Sequence, residues 1–422
     1  MQKRGIVQYK LIIIKKIQNL FVSFCWILFF LLFTRSYYIY FLYENKLLNS
    51  FYTIISKVCV ILVVGVFLLK IFSQEKINGS FFCLVILLYI FQLISTLLGK
   101  GSVQVLIRSF YPILGMNCFL SLLSDTQSHI KDFIKTMANF MFIMIIANFV
   151  LLVAMPEGYF NEGWGLTYLI GIENQISISF LIGFLFCLLD FIYNGCFWKI
   201  LIYSIIYCIS SLIIWSGSGL VAMAALFIGI FPSCWKILKR VDLFYIAIFM
   251  FFIIFMVICL GVSGFFEKEP FSFIFEKILK KDSTLTGRIG IWENVLEQWE
   301  ERSVWGYGIQ ESVDQFIGHP NYPDTKLSAH NQFLQFLWTG GLVSFFCFIL
   351  IIAKVSGDLK KCKNKKVEAT FKLVLLALFV VLMSEAASFD SVFFLLGFAT
   401  NIGFAKDDKY ETLLLKNEEF SF

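Results

Sequence analysis

At 422 residues, with 59% hydrophobic and only 15% charged side chains, this chain lacks the polar surface that a soluble protein of its size requires. Its net charge of +6 is gathered in a few lysine-rich turns, which argues against a nucleic-acid footprint. The expected class is all-α: a polytopic helical membrane protein built as a single membrane domain, residues 1–422.

Apolar runs long enough to span a bilayer recur along the whole chain, about twelve in all. They cover 19–42, 51–72, 80–98, 103–123, 132–154, 173–192, 198–215, 218–235, 243–263, 331–353, 370–388 and 389–405. The first follows a long basic tail and has no small-residue cleavage site, so it reads as a retained helix. Lysine and arginine mark the N-terminal tail (Lys3, Arg4, Lys10, Lys15, Lys16), the turn after the eighth run (Lys236, Lys239, Arg240) and the loop after the tenth (Lys354, Lys360, Lys361, Lys363, Lys365, Lys366). With an even number of spans, the bias of cationic loops toward the cytoplasm places both termini there and segment 264–329 outside. The eleven cysteines fall mostly in or beside the runs and form no CxxC pattern, which reads as apolar packing rather than a disulfide or metal framework.

Two outer loops interrupt the runs. The first, 155–172, is rich in turn and aromatic residues. The second, 264–329, contains a helical stretch at 287–302, where Ile289, Trp292, Val295, Leu296 and Trp299 share one face. Such an amphipathic helix is expected along the outer membrane surface, with its tryptophans at the interface and Thr286 as its N-cap. Arg288 then sits in the first turn. A cation is the wrong charge for a helix N-terminus, and the placement makes sense if an anion such as phosphate binds there. The plainer reading pairs Arg288 with Glu293 or with lipid headgroups.

His330 opens the tenth run. If Ser328 caps that helix, the ring lies in the first turn, where a cation is disfavoured, and it is expected to be neutral and able to accept a proton. Asn331 and Gln335 add polar groups, and Gly340 and Gly341 would let another helix approach. The plainer reading is an interfacial histidine bonded to water. Arg108 falls inside the fourth run, where a charge is costly and should face a polar cavity or an acidic partner. Gly306 and Gly308 flank Tyr307 in a tight turn, and Trp292 shares a stripe with Arg288. Glu173 and Asn174 open the sixth run on the outer side and could face the same cavity, with Glu173 as a rival base. His319 to Pro323 reads as a rigid loop.

Thr286-Gly287-Arg288 followed by Trp292, then Gly306-Tyr307-Gly308, then His330-Asn331 and Gly341, resembles the signature of the O-antigen ligase and Wzy-type polysaccharide polymerase superfamily. Glu173-Asn174 is similar to the start of that family's sixth helix. The chain departs from the family between the seventh and eighth helices, where Ser216-Gly217-Ser218-Gly219 replaces a Ser-Arg-Gly turn.

The resemblance implies a GT-C-like fold with a large outer loop between helices nine and ten, in a bacterial cytoplasmic membrane. It implies a glycosyltransferase that uses no cofactor or metal and takes as donor a glycan carried on undecaprenyl pyrophosphate. His330 and Arg288 would be catalytic. Arg108, Asn331, Gln335, Trp292, Gly306, Gly308, Glu173 and Asn174 would contact substrate. The expected partners are the lipid-linked donor and acceptor, membrane lipids, a flippase and a chain-length regulator, and no nucleic acid. The leading expectation is a polymerase of repeat units for capsule, exopolysaccharide or O-antigen. The alternatives are a ligase that moves finished glycan to lipid A core or protein, and, further off, a flippase or transporter.

Overall fold

The computed structural model describes residues 2–34, 46–73, 78–158, 160–161, 166–173, 176–262, 265, 268, 273, 288–310, 317–319, 322–385 and 389–403. In chain order its helices are α1 (Gln2–Thr34), α2 (Lys46–Phe72), α3 (Gly79–Leu98), α4 (Val103–Leu123), α5 (Gln127–Ala154), α6 (Ile176–Asn194), α7 (Phe197–Ile214), α8 (Gly217–Ile230), α9 (Pro232–Arg240), α10 (Leu243–Val262), α11 (Arg288–Glu301), α12 (Gln332–Lys360), α13 (Lys365–Leu382) and α14 (Phe389–Ile402). The segment 155–172 folds a small antiparallel sheet, β1 (Phe160–Asn161), β2 (Leu166–Tyr168) and β3 (Gly171–Ile172), with Thr167 opposite both Phe160 and Ile172. The stretch expected as a rigid loop before His330 forms a hairpin, β4 (Ile317–His319) and β5 (Tyr322–Leu327).

The expected all-α membrane architecture is observed. Among the described residues, nine helices are long and apolar enough to cross a membrane, or ten if α8 and α9 count as one bent span. The sequence had suggested more. The run 218–235 does not continue straight, because Pro232 lacks an N–H and ends α8 at Phe231 before α9 turns away. α13 opens with Lys365, Lys366, Glu368 and Lys372, and α14 has only 14 residues, so neither passes as an ordinary span.

Burial sorts the helices into centre and rim. The spanning windows of α6 and α12 are 78% and 72% buried, against 22% for α2 and α10. The rim helices turn Ile54, Ile61, Leu69, Phe249 and Phe252 outward, as a hydrocarbon solvent allows. An aromatic cluster ties the centre together. Phe133 of α5 meets Trp26 of α1, Phe119 of α4, Phe186 of α6 and Phe398 of α14 at centroid distances of 5.9, 5.9, 5.6 and 5.7 Å. Edge-on pairs at these separations match the electrostatics of aromatic rings.

α12 is broken near its N-terminal end. Gly341 has φ 62° and ψ −164°, so the hydrogen-bond ladder is interrupted there. Segment 303–308 repairs it. The N–H groups of Tyr307 and Gly308 donate to the carbonyls of Trp338 and Thr339 at 2.8 and 2.9 Å, and Leu342 N–H donates to Ser303 at 2.8 Å. On its other side the segment meets the α3–α4 turn, where Ser102 N–H donates to Ile309 and Ile309 N–H donates to the Thr96 hydroxyl. Non-helical backbone within a membrane protein is stable only when its polar groups are satisfied this way. What approaches Gly341 is therefore this extended segment rather than a helix. A Cβ on Gly341 would lie 2.2 Å from the Val304 carbonyl.

The bundle has two distinct ends. At one, the C-terminus of α12, the N-terminus of α13 and the α9–α10 turn meet through the Lys360–Asp242 ion pair and the Lys372 ammonium donating to the Lys239 carbonyl, while Lys354–Asp358, Lys361–Asp358 and Lys372–Glu368 pair locally along their own helices. α12 has 29 residues, a rise of ~43 Å, so its N-terminus lies at the opposite end. The start of α11 and the end of α13 are found there with it.

Candidate functional site

Three elements converge at this second end. Arg288 is the first residue of α11, His330 precedes α12, and Glu385 follows α13. Arg288 Nη2 donates to Glu385 Oε1 at 2.6 Å, and His330 Nδ1 stands 3.7 Å from Glu385 Oε2. The Glu385 side chain is 4% exposed, whereas Arg288 and His330 are 23% and 30% exposed, so the carboxylate is the floor and the two basic groups are the face a ligand can reach. The arrangement sets a guanidinium, bonded to a buried carboxyl group, beside an imidazole that stands 3.7 Å from the other oxygen of the same group.

The local sequence explains how His330 is held. Asn331, not Ser328, is the N-cap of α12: its Oδ1 accepts from the N–H groups of Phe333 and Leu334 at 3.0 and 3.1 Å. His330 is therefore one residue outside the helix rather than in its first turn, and the expected helix-end effect on its charge does not follow from that position. Its φ is +43°, uncommon for a residue with a Cβ, though histidine is enriched there. The preceding residue is clamped from both sides. Ala329 N–H donates to Gln335 Oε1 at 3.0 Å, and the Ala329 carbonyl accepts from Trp292 Nε1 at 2.9 Å. Asn331 Nδ2 donates to the Met383 carbonyl at 2.8 Å, which ties the start of α12 to the end of α13 and brings Glu385 into range.

The structure thus gives Trp292, Gln335 and Asn331 scaffolding contacts that aim the catalytic candidates. Trp292, expected at a lipid interface, is buried at 4% exposure, because the apolar face of α11 packs on α10 and α12. Gly306 and Gly308 have φ of +67° and +80°, and a Cβ on either would stand 2.4 Å from the Trp338 carbonyl or from Thr96 Cα. Close backbone packing accounts for both glycines.

Arg108 lies in the second turn of α4, about 8 Å along the helix from its start, and is exposed. It lies toward the end of α4 that carries the Ser102–Ile309 contact. Glu173 closes the small sheet through its N–H to the Leu166 carbonyl. Its charge acts on Tyr168, whose phenol is pushed up to about 12 by burial first and then by Glu173 and Glu157. Asn174, Thr286 and Gly287 lie outside the described residues. Ser216 is the N-cap of α8, and its hydroxyl lies 3.4 Å from that of Ser218 rather than capping a backbone N–H.

Glu385 was missed from the sequence. Its signal was present: an acidic residue inside the apolar run 370–388, where an ionisable group is costly and points to a partner. Arg288 was expected to pair with Glu293 or a ligand, and its partner is instead 97 residues away.

Residues 204–349 match the Wzy_C family model, O-Antigen ligase. The matched segment runs from α7 into α12 and contains both Arg288 and His330; Glu385 lies beyond it. No curated protein sequence matches the chain. The match bears out the resemblance read from the signature residues, and it implies a membrane glycosyltransferase-like enzyme of the glycan ligase and polymerase type.

Proposed function

We propose, from a multi-pass membrane protein with an O-antigen-ligase-type segment, that this chain joins repeat units of a surface polysaccharide while they are carried on undecaprenyl pyrophosphate. The observation that carries the reading is the convergence of Arg288 and His330, from separate elements, on one exposed face at one end of the bundle. The chemistry suits these groups. An acceptor hydroxyl oxygen forms a bond to the anomeric carbon of the donor glycan as the bond from that carbon to the diphosphate oxygen breaks. The bonding electron pair leaves on the lipid diphosphate, and the hydroxyl proton passes to His330. Arg288 offers the planar, always charged donor fork that matches phosphate oxygens and offsets the charge that develops as the bond breaks. Displacement in one step inverts the anomeric configuration.

This end of the bundle is read as the outer face of the cytoplasmic membrane, because the lysine-rich turns gather at the opposite end. A flipped lipid-linked glycan would arrive here. The ligase description of the matching family supports a second reading, transfer of a finished glycan to lipid A core or protein.

Reconstitution with a lipid-pyrophosphate-linked repeat unit separates the two. A ladder of products supports the polymerase. Transfer to an added foreign acceptor without elongation supports the ligase. Movement across the bilayer without a new glycosidic bond would sink both.

A further inference from the structure

The roles given to Arg288 and His330 leave the buried carboxylate between them unused. Glu385 holds Arg288 at 2.6 Å and stops short of His330, at 3.7 Å. A hydrogen bond to a ring nitrogen needs about 2.7–3.2 Å, so Oε2 is roughly half to one ångström too far. Among the described residues, the charged groups gathered on Glu385 are Arg288 from α11 and His330 from the turn before α12.

A diphosphate is a stronger partner for a guanidinium than a single carboxylate is, because it carries more charge and offers more acceptor oxygens. Once it draws Arg288 away, a carboxylate this buried cannot stay unpaired without a large penalty. His330 Nδ1 is the donor already aimed at it.

We propose that Glu385 is a positioning residue that passes from Arg288 to His330 when the donor diphosphate binds. The inference rests on the reading of Arg288 as the diphosphate site. With Glu385 accepting from Nδ1–H, the ring is fixed in the tautomer whose Nε2 carries the lone pair. Nε2 then takes the acceptor hydroxyl proton while the new glycosidic bond forms and the diphosphate departs with its electron pair. Glu385 remains ionised throughout and steadies the imidazolium. The base is thus armed only after the leaving group is seated, and donor binds before acceptor.

The test is nitrogen NMR of the full chain, labelled with 15N-histidine and held in lipid nanodiscs, with inorganic pyrophosphate as the probe. Only His129, His319 and His330 contribute signals. Pyrophosphate is expected to convert the His330 ring to its Nδ1–H form in the wild type, to leave Glu385→Gln unchanged and to act partly on Glu385→Asp. In glycan transfer, Glu385→Gln should lower kcat about 100-fold. Its KM for donor should stay within about threefold, since Arg288 remains to bind phosphate. A wild-type ring indifferent to pyrophosphate, or a Glu385→Gln ring that responds fully, would overturn the proposal. If Glu385→Gln fails to insert, the Glu385→Asp comparison decides in its place. A tautomer change in a protein that transfers no glycan would remove the proposed function and leave the handover standing, so the two can fail separately.

Discussion

The two ends of this bundle both carry charge, and they use it differently. At the lysine-rich end, Lys372 and Glu368 pair at 2.7 Å with 1% and 4% exposure, and Lys354 and Lys361 both bind Asp358 on the same helix or just past it. Most of these partners are three or four residues apart, so one helix satisfies itself. At the other end, Arg288, His330 and Glu385 come from three elements, 97 residues separate the closest pair, and Arg288 and His330 both remain partly exposed. Mutual local satisfaction describes a fastening. Convergence of distant, half-open groups on one shared carboxylate describes a site.

The sharpest way to break this contrast is to delete one charge at each end. His330→Ala should cut glycan transfer by about 100- to 10,000-fold, the range of general-base catalysis, while the melting temperature in detergent changes little. Lys372→Met should do the reverse. It leaves the buried Glu368 carboxylate with only the half-exposed Lys365, at 2.9 Å, and should cost less stability than the about 3–5 kcal/mol of a fully unpaired buried charge, read from denaturant or thermal unfolding, with turnover per folded molecule retained. Loss of turnover from Lys372→Met at full stability would show that the second end is also functional.

The same contrast explains what could be read from the sequence. Most of the spans, the signature residues Arg288 and His330, and the amphipathic helix, expected over 287–302 and formed over Arg288–Glu301, were legible, because hydrophobic runs and local spacing are properties of contiguous chain. Glu385 was hidden inside the run 370–388, since a hydropathy window averages over a single carboxylate. The cap of α12 was misplaced by three residues, because Ser328 and Asn331 are equally good caps and tertiary contact with Met383 decides between them. Trp292 looked interfacial because a sequence marks an apolar face without showing whether lipid or protein covers it. The break at Gly341 reads as helix packing in sequence, and only the return of segment 303–308 reveals its role.

That break offers an intermediate probe. Gly341→Ala places a Cβ 2.2 Å from the Val304 carbonyl at positive φ, which should destabilise the protein by about 1–3 kcal/mol. If the kink also sets the approach of α12 to α11, turnover should fall with it. Asn331→Ala removes the cap and the tether to Met383. It should cost about 1 kcal/mol in unfolding and reduce kcat more than that loss implies, since Glu385 is no longer held in range. A variant stable to within error and fully active would remove the tether from the description of the site.

The smallest effect belongs to the fastening end and concerns pH. Burial pushes the Asp242 carboxyl up, but hydrogen bonds from Lys360, Ser356 and the Phe244 N–H together hold it below the ordinary carboxylate value. A carboxyl depressed in the folded state stabilises that state at pH above its unfolded value, and the contribution is lost as pH falls through the folded value. Since the folded value lies lower, the loss should come only in strongly acid solution. Lys360 is 53% exposed, so solvent screens the pair and the contribution should be modest. Melting temperature followed from neutral to acid pH should therefore decline slightly less for Asp242→Asn than for the wild type. If the two curves run parallel, the Lys360–Asp242 contact belongs with surface charges rather than with the buried fastening. The contrast between the ends would then rest on Lys372, Glu368 and Asp358 alone.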